Sequence, residues 1–229
     1  MKNYDSIATQ NSSIVSTMCS AVFTIIIFSL SFAYALGQSP PPFLLEFENP
    51  KTKIDTFKVD YTQFVFFEHT KEKQEMCGTI FFKNGSICMI QRMPQEQQIY
   101  VDGKNITIYT PANKQAVVDD WKNVIDVGFN PATIVDFRNS WKKIKKTNVI
   151  NFEFETKNHV IIRITPIKNK KWDMKVYISK TTMNVDRAVM CSEDVTIEII
   201  FKNYIANPLL NKNMFELKVS DDVEIIKLN

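Results

Sequence analysis

The chain has 229 residues, 45% of them hydrophobic and 17 of them phenylalanine, which supplies one domain with a substantial core. A net charge of +3 is far from a nucleic-acid signature and is compatible with an anionic membrane or an acidic partner. Only five glycines argue against nucleotide-binding loops.

Residues 1–12 are polar, and Ile14 to Tyr34 is almost free of charge. The run closes on Ala33-Tyr34-Ala35, a small-x-small pattern that suits signal peptidase. Residues 1–35 therefore read as a secretory signal or, alternatively, as an uncleaved anchor. Either places the body outside the cytoplasm. Residues 36–42 form a Pro-rich linker, and 43–229 a single folded domain.

Phe43 to Phe47 has the character of a brief helix, and Phe57 to Phe67 that of a strand. The apolar positions of that strand change from odd (Phe57, Val59, Tyr61) to even (Phe64, Phe66), which predicts a bulge or bend. From Gly78 to Val118 short apolar runs alternate with turns at Asn84-Gly85, Pro94-Gln95, Asp102-Gly103 and Ala112-Asn113, a meander of hairpins. A two-residue turn at Asn84-Gly85 sets Phe81 opposite Cys88 and Cys77 opposite Arg92. Cys77 and Cys88 are then about 13 Å apart, too far for a disulfide. A bridge from Cys191 to either stays open.

Asn130 and Pro131 carry helix-start chemistry, and Ile134, Phe137, Trp141 and Ile144 form one apolar stripe. Lys142, Lys143, Lys145 and Lys146 complement the far end of that helix. Alternation resumes at Ile150-Phe152-Phe154, Val160-Ile162-Ile164, Trp172-Met174-Val176-Ile178 and Val195-Ile197-Ile199-Phe201, each predicting one buried and one wet face. Phe215, Leu217 and Val219 suggest a short terminal strand. The fold class is mainly β (α+β). About ten or eleven antiparallel strands form a strongly curved sheet or unclosed barrel, with one or two helices against its concave face.

Catalytic equipment is sparse. His69 and His159 read as loop residues, no serine lies in a nucleophile elbow, and no Cys/His pair has zinc spacing. No enzymatic activity, metal or cofactor is expected. The hairpin from Ile80 to Ile90 is apolar on both faces, which fits either a thick core or an apolar cavity.

The order of the elements carries a resemblance. A strand with G-x-[LI], a turn, a strand with R-x-P, then Q-x-[IV]-x-x-D-G-K-x-[ILV]-x-x-Y-x-P-x-x-x-Q resembles the LolA family of periplasmic outer-membrane lipoprotein carriers. Gly78, Ile80, Arg92, Pro94, Gln98, Asp102, Gly103, Lys104, Ile106, Tyr109, Pro111 and Gln115 hold those positions. Tyr177, the strand Thr196 to Tyr204, Asn207, Pro208, Phe215 and Asp221-Asp222-Val223 are similar to the family's closing segment. The resemblance implies an unclosed barrel whose helices form a lid over an apolar cavity for lipoprotein acyl chains. It further implies loading by an inner-membrane lipoprotein-releasing transporter, delivery to an outer-membrane receptor, and a monomeric carrier.

On that reading the acyl-chain cavity is lined by Phe64, Phe66, Ile80, Phe82, Ile87, Met89, Ile106, Ile108, Phe152, Phe154, Ile162, Trp172, Met174 and Val176. The inner stripe of the lid is Ile134, Phe137 and Trp141. Family carriers latch the lid with an arginine of the first hairpin. Asn84-Gly85 and Cys88 stand in that region here, and Arg92 is the nearby substitute. The same fold also serves envelope lipid-binding proteins and stress sensors that bind a regulatory partner, the alternative function.

Overall fold

A computed structural model describes residues 42–47, 53–121, 134, 136–168 and 171–228. The signal or anchor segment, Asn130 and Pro131 lie outside the described residues. Among the described residues twelve strands form one sheet. They are β1 (Thr56–Phe67), β2 (Lys73–Lys83), β3 (Ser86–Met93), β4 (Gln97–Val101), β5 (Asn105–Thr110), β6 (Gln115–Asp120), β7 (Asn148–Glu155), β8 (His159–Pro166), β9 (Trp172–Ser179), β10 (Val185–Ser192), β11 (Val195–Ala206) and β12 (Glu224–Lys227). Among the described residues α1 spans Pro42–Leu45 and α2 spans Phe137–Thr147. The strand order is β12-β6-β5-β4-β3-β2-β1-β11-β10-β9-β8-β7, so the sheet is open, with β12 and β7 at its edges. It is unclosed, not a barrel.

Local sequence explains the meander. Asn84 and Gly85 both have positive φ, 49° and 91°, as a two-residue hairpin turn requires when its twist must match the strands. The Asp102 carboxylate accepts from the backbone N–H of Lys104 and Asn105 and closes the next turn around Gly103, φ 87°. Pro111–Asn113 is a 3-10 turn ended by Lys114 at φ 48°. Asn207, at φ 51°, accepts from Asp55 and Thr56 N–H through its side chain and so ties the end of β11 to the start of β1.

Several expectations are corrected. The terminal strand is Glu224–Lys227, paired parallel to β6; Phe215 instead ends a 3-10 turn at Lys212–Phe215. This pairing brings the strand count to twelve. Parity within Phe215-Leu217-Val219 carried no information about a partner strand. A bulge does disturb the β1–β11 pairing, but its extra residue lies in β11, where Asn203 has φ 55°. Alternation along β1 therefore runs unbroken. Cys77 lies opposite Met93, not Arg92, because the β2–β3 register shifts between Cys77 and Gly78. Phe81 does face Cys88. Cys77, Cys88 and Cys191 are all free thiols, and burial pushes the Cys88 thiol up to about 11.

Candidate ligand-binding face

The inner face of the sheet, the one covered by α1 and α2, follows from register. Phe57, Val59 and Tyr61 of β1 stand opposite Phe82, Ile80 and Gly78 of β2. Phe82 and Ile80 stand opposite Ile87 and Met89, which in turn meet Val101 and Ile99 and then Ile106 and Ile108. Across β1, the β11 bulge turns both Phe201 and Tyr204 inward; Tyr204 stacks on Phe57 at 5.5 Å, and Phe57 on Phe82 at 4.8 Å. The far half adds Ile199, Ala188, Val176, Ile162 and Phe152, paired in that order.

Ile80, Phe82, Ile87, Met89, Ile106, Ile108, Phe152, Ile162, Trp172, Met174 and Val176 thus share one face and one packed cluster. Phe64, Phe66 and Phe154 do not. Phe64 and Phe66 have the parity opposite to Phe57 and lie on the outer face, where Lys73 sits 4.2 Å from the Phe64 ring and Lys71 5.7 Å from that of Phe66. In β7 an extra residue near Glu153 shifts Phe154 opposite Ile161, leaving it 48% exposed. The expected cavity set leaves out Phe47, Phe57 and Tyr204 of the inner face, Phe57 because in β1 the set follows the even series of Phe64 and Phe66 and not the odd series of Phe57, Val59 and Tyr61. An isolated tyrosine and a short first helix give no periodic signal.

The cover is aromatic. Helix α2 runs along the inner face and buries Phe137, Trp141 and Ile144; Ile134, just before it, is buried as well. Phe47, which follows α1, is edge-on to Phe137 at 5.7 Å and lies 5.3 Å from Trp141. The space between Ile54, Val59, Ile134, Phe137, Val185 and Phe201 is about 20 Å³, room for about one water and far less than an acyl chain. Helix side chains occupy this part of the face, and a wider opening of about 450 Å³ lies beside Phe47, Phe82 and Asn139.

Two helix side chains hold the cover by backbone carbonyls. Asn139 Nδ2 donates to Ile54 O at 2.9 Å and Arg138 Nη2 to Thr182 O at 3.4 Å. Arg92 has no part in this, since its Nη1 donates to Thr79 Oγ1 at 2.9 Å within an outer-face group that includes Asp60. His69 pairs with Asp194 at 3.0 Å, and His159 opens β8 and pairs with Asp186 at 2.9 Å. Among the described residues no helix is long and apolar enough to cross a membrane.

Asp136 sits at the N-terminal cap position of α2, and burial pushes its carboxyl up to about 6 against an ordinary 3.8, partly offset by the Asn139 amide donating to Oδ1 at 2.8 Å. A carboxyl held higher in the folded than in the unfolded chain removes stability as pH rises from about 4 through about 6. Asp136→Asn keeps the acceptor and removes the buried charge. We expect it to raise the melting temperature at pH 7, with the gain vanishing below about pH 4, where the unfolded carboxyl is also protonated. A gain of equal size at both pH values would place its origin elsewhere.

Comparison with known proteins agrees with the fold. Residues 52–218 match the family model described as outer membrane lipoprotein carrier protein LolA. An outer-membrane lipoprotein carrier protein of Wolinella succinogenes is 31% identical over 175 residues, 76% of this chain and 88% of that one. One from Pasteurella multocida is 23% identical over 155 residues, 61% of this chain and 76% of that one. An uncharacterized conserved protein from Thermus thermophilus superposes with a TM-score of 0.54 at 11% identity, over 83% of this chain and 100% of that one, and so shares the fold. On the family model and the Wolinella relative together, this chain belongs to the LolA family of outer membrane lipoprotein carrier proteins.

Proposed function

We propose that this chain is a periplasmic, non-enzymatic carrier that shields lipoprotein acyl chains on the inner face of its sheet between the inner and outer membranes. Residues 1–35 direct export. An inner-membrane lipoprotein-releasing transporter loads the carrier, an outer-membrane receptor relieves it, and the carrier travels as a monomer. The observation that carries this reading is the cover. An apolar sheet face is covered by the eleven-residue α2 and by Phe47, just after the four-residue α1, and the rings of Phe47, Phe137 and Trp141 pack on one another above it. Acyl chains gain about 0.8 kcal/mol per buried methylene, which favours their displacing the lid side chains from that face.

On this reading Ile80, Phe82, Ile87, Met89, Ile106, Ile108, Phe152, Ile162, Trp172, Met174 and Val176 contact the acyl chains, a choice supported by the one face they share. Ile134, Phe137 and Trp141 are the lid. The test is direct: the purified protein is mixed with a synthetic diacylated lipopeptide and passed over a sizing column. Co-elution of lipopeptide with monomeric protein is expected. Elution of the lipopeptide only as micelles would count against the reading.

A further inference from the structure

The inner face is not apolar throughout. Two rungs of the sheet, Phe57-Phe82-Ile87-Val101-Ile106 and Val59-Ile80-Met89-Ile99-Ile108, are wholly apolar. The next rung changes character: Tyr61, Gly78, Gln91 and Gln97 follow one another across β1 to β4, and Thr110 continues them. Gln91 Nε2 donates to Gln97 Oε1 at 3.3 Å and Gln97 Nε2 to Thr110 Oγ1 at 3.3 Å, so the rung is tied together by its own side chains. It marks a border between an apolar floor and a line of amides.

Tyr61 stands on that border. Its ring lies over Gly78, close enough that a Cβ there would come within 2.8 Å of it. The residue is only 3% exposed, yet its hydroxyl has no hydrogen-bond partner among the described residues. Trp141 of α2 repeats the situation from the lid side: it is 4% exposed and its Nε1–H has no partner among them either. Buried donors are nearly always paired, and an indole N–H can only donate. The interior therefore carries two donors aimed at no acceptor among the described residues. A phenol keeps its proton at neutral pH, and burial holds that of Tyr61 still higher. Hydrocarbon supplies no acceptor. The ester or amide carbonyl that ends each acyl chain does.

Building on the carrier reading, we propose that Tyr61 and Trp141 bind the carbonyl groups joining acyl chains to their anchor, Tyr61 at the polar rung and Trp141 from the lid. The methylenes then lie on the two apolar rungs. The protein selects acyl chains over alkyl chains of the same length and fixes how deep they enter.

The experiment titrates the full protein, its Tyr61→Phe variant and its Trp141→Phe variant with two lipopeptides. These share peptide and chain length and differ only in ester or ether linkage. The wild type is expected to bind the ester form about tenfold more tightly, the range one well-placed hydrogen bond supplies. Tyr61→Phe should bring the two within about twofold by weakening the ester form alone, and Trp141→Phe should narrow the gap in part. Ligand-free Tyr61→Phe should melt at or above the wild-type temperature, because it loses a buried hydroxyl that had no partner, whereas Trp141→Phe also leaves a cavity and is judged by the ester–ether gap alone. Equal affinities in the wild type would overturn the inference and leave the carrier reading standing. So would equal weakening of both ligands by Tyr61→Phe, or a lowered melting temperature of that variant, either of which assigns the hydroxyl to packing. Failure of both lipopeptides to bind the wild type would overturn the two together.

Discussion

Replacing Phe137 with alanine is expected to uncover the inner face while leaving the sheet intact. Phe137 is buried, edge-on to Phe47 at 5.7 Å and 5.6 Å from Trp141, so its ring joins the residue after α1 to α2. Truncating a buried phenylalanine costs about 3–5 kcal/mol. That loss falls on the cover, because the strands are held by their own ladders from β12 to β7. An apolar dye should bind the variant and not the wild type. Amide exchange should accelerate over Phe137–Thr147 with little change in β1 and β2. Loss of protection across the whole sheet would instead make the helices an inseparable part of the core.

Gly78→Ala is expected to be the most damaging single methyl in the sheet. A Cβ at Gly78 would lie 2.2 Å from the carbonyl oxygen of Ile90, 2.8 Å from the Tyr61 ring and 3.0 Å from Cα of Gln91. Two of the three are backbone atoms, so relief requires moving β3. Gly78 adjoins the register shift with β3, where the strands are already displaced. Overpacking of this kind costs about 1–3 kcal/mol and occasionally more; with backbone in the way we expect about 3 kcal/mol. In a domain of this size that lowers the melting temperature by roughly 6–12 °C. Alanine at Gly85 meets no atom within 4 Å and faces only its positive φ, so it serves as the milder control. A Gly78→Ala protein as stable as wild type would show that the β2–β3 register can slip.

Much of this was legible in the sequence, and the failures have particular causes. Eleven of the fourteen positions expected from alternation share one face of the sheet, because a strand buried on one side must repeat every two residues. Asn84-Gly85 set the first hairpin through its two positive φ angles. Phe64 and Phe66 misled because aromatic rings also cover an outer face, here beneath lysines. Phe154 was displaced by a bulge in its own strand, and the bulge foreseen in β1 lay in its partner instead. A bulge belongs to a pair of strands, and one strand's sequence does not show which member carries the extra residue. The polar rung was hidden for the same reason. Tyr61, Gln91, Gln97 and Thr110 are scattered along the chain and become neighbours only through register.

In the proposed function the covered inner face carries lipoprotein acyl chains through water. The most direct measurement incubates the purified protein with inner-membrane spheroplasts bearing newly made, labelled lipoproteins, and then assays the supernatant. Labelled lipoprotein is expected in soluble complex with the protein, and less of it when Ile80 and Met89 on the sheet face are replaced by aspartate in a variant that still folds. Absence of released lipoprotein, with a regulatory protein retained by the chain instead, would contradict it and assign this fold to sensing.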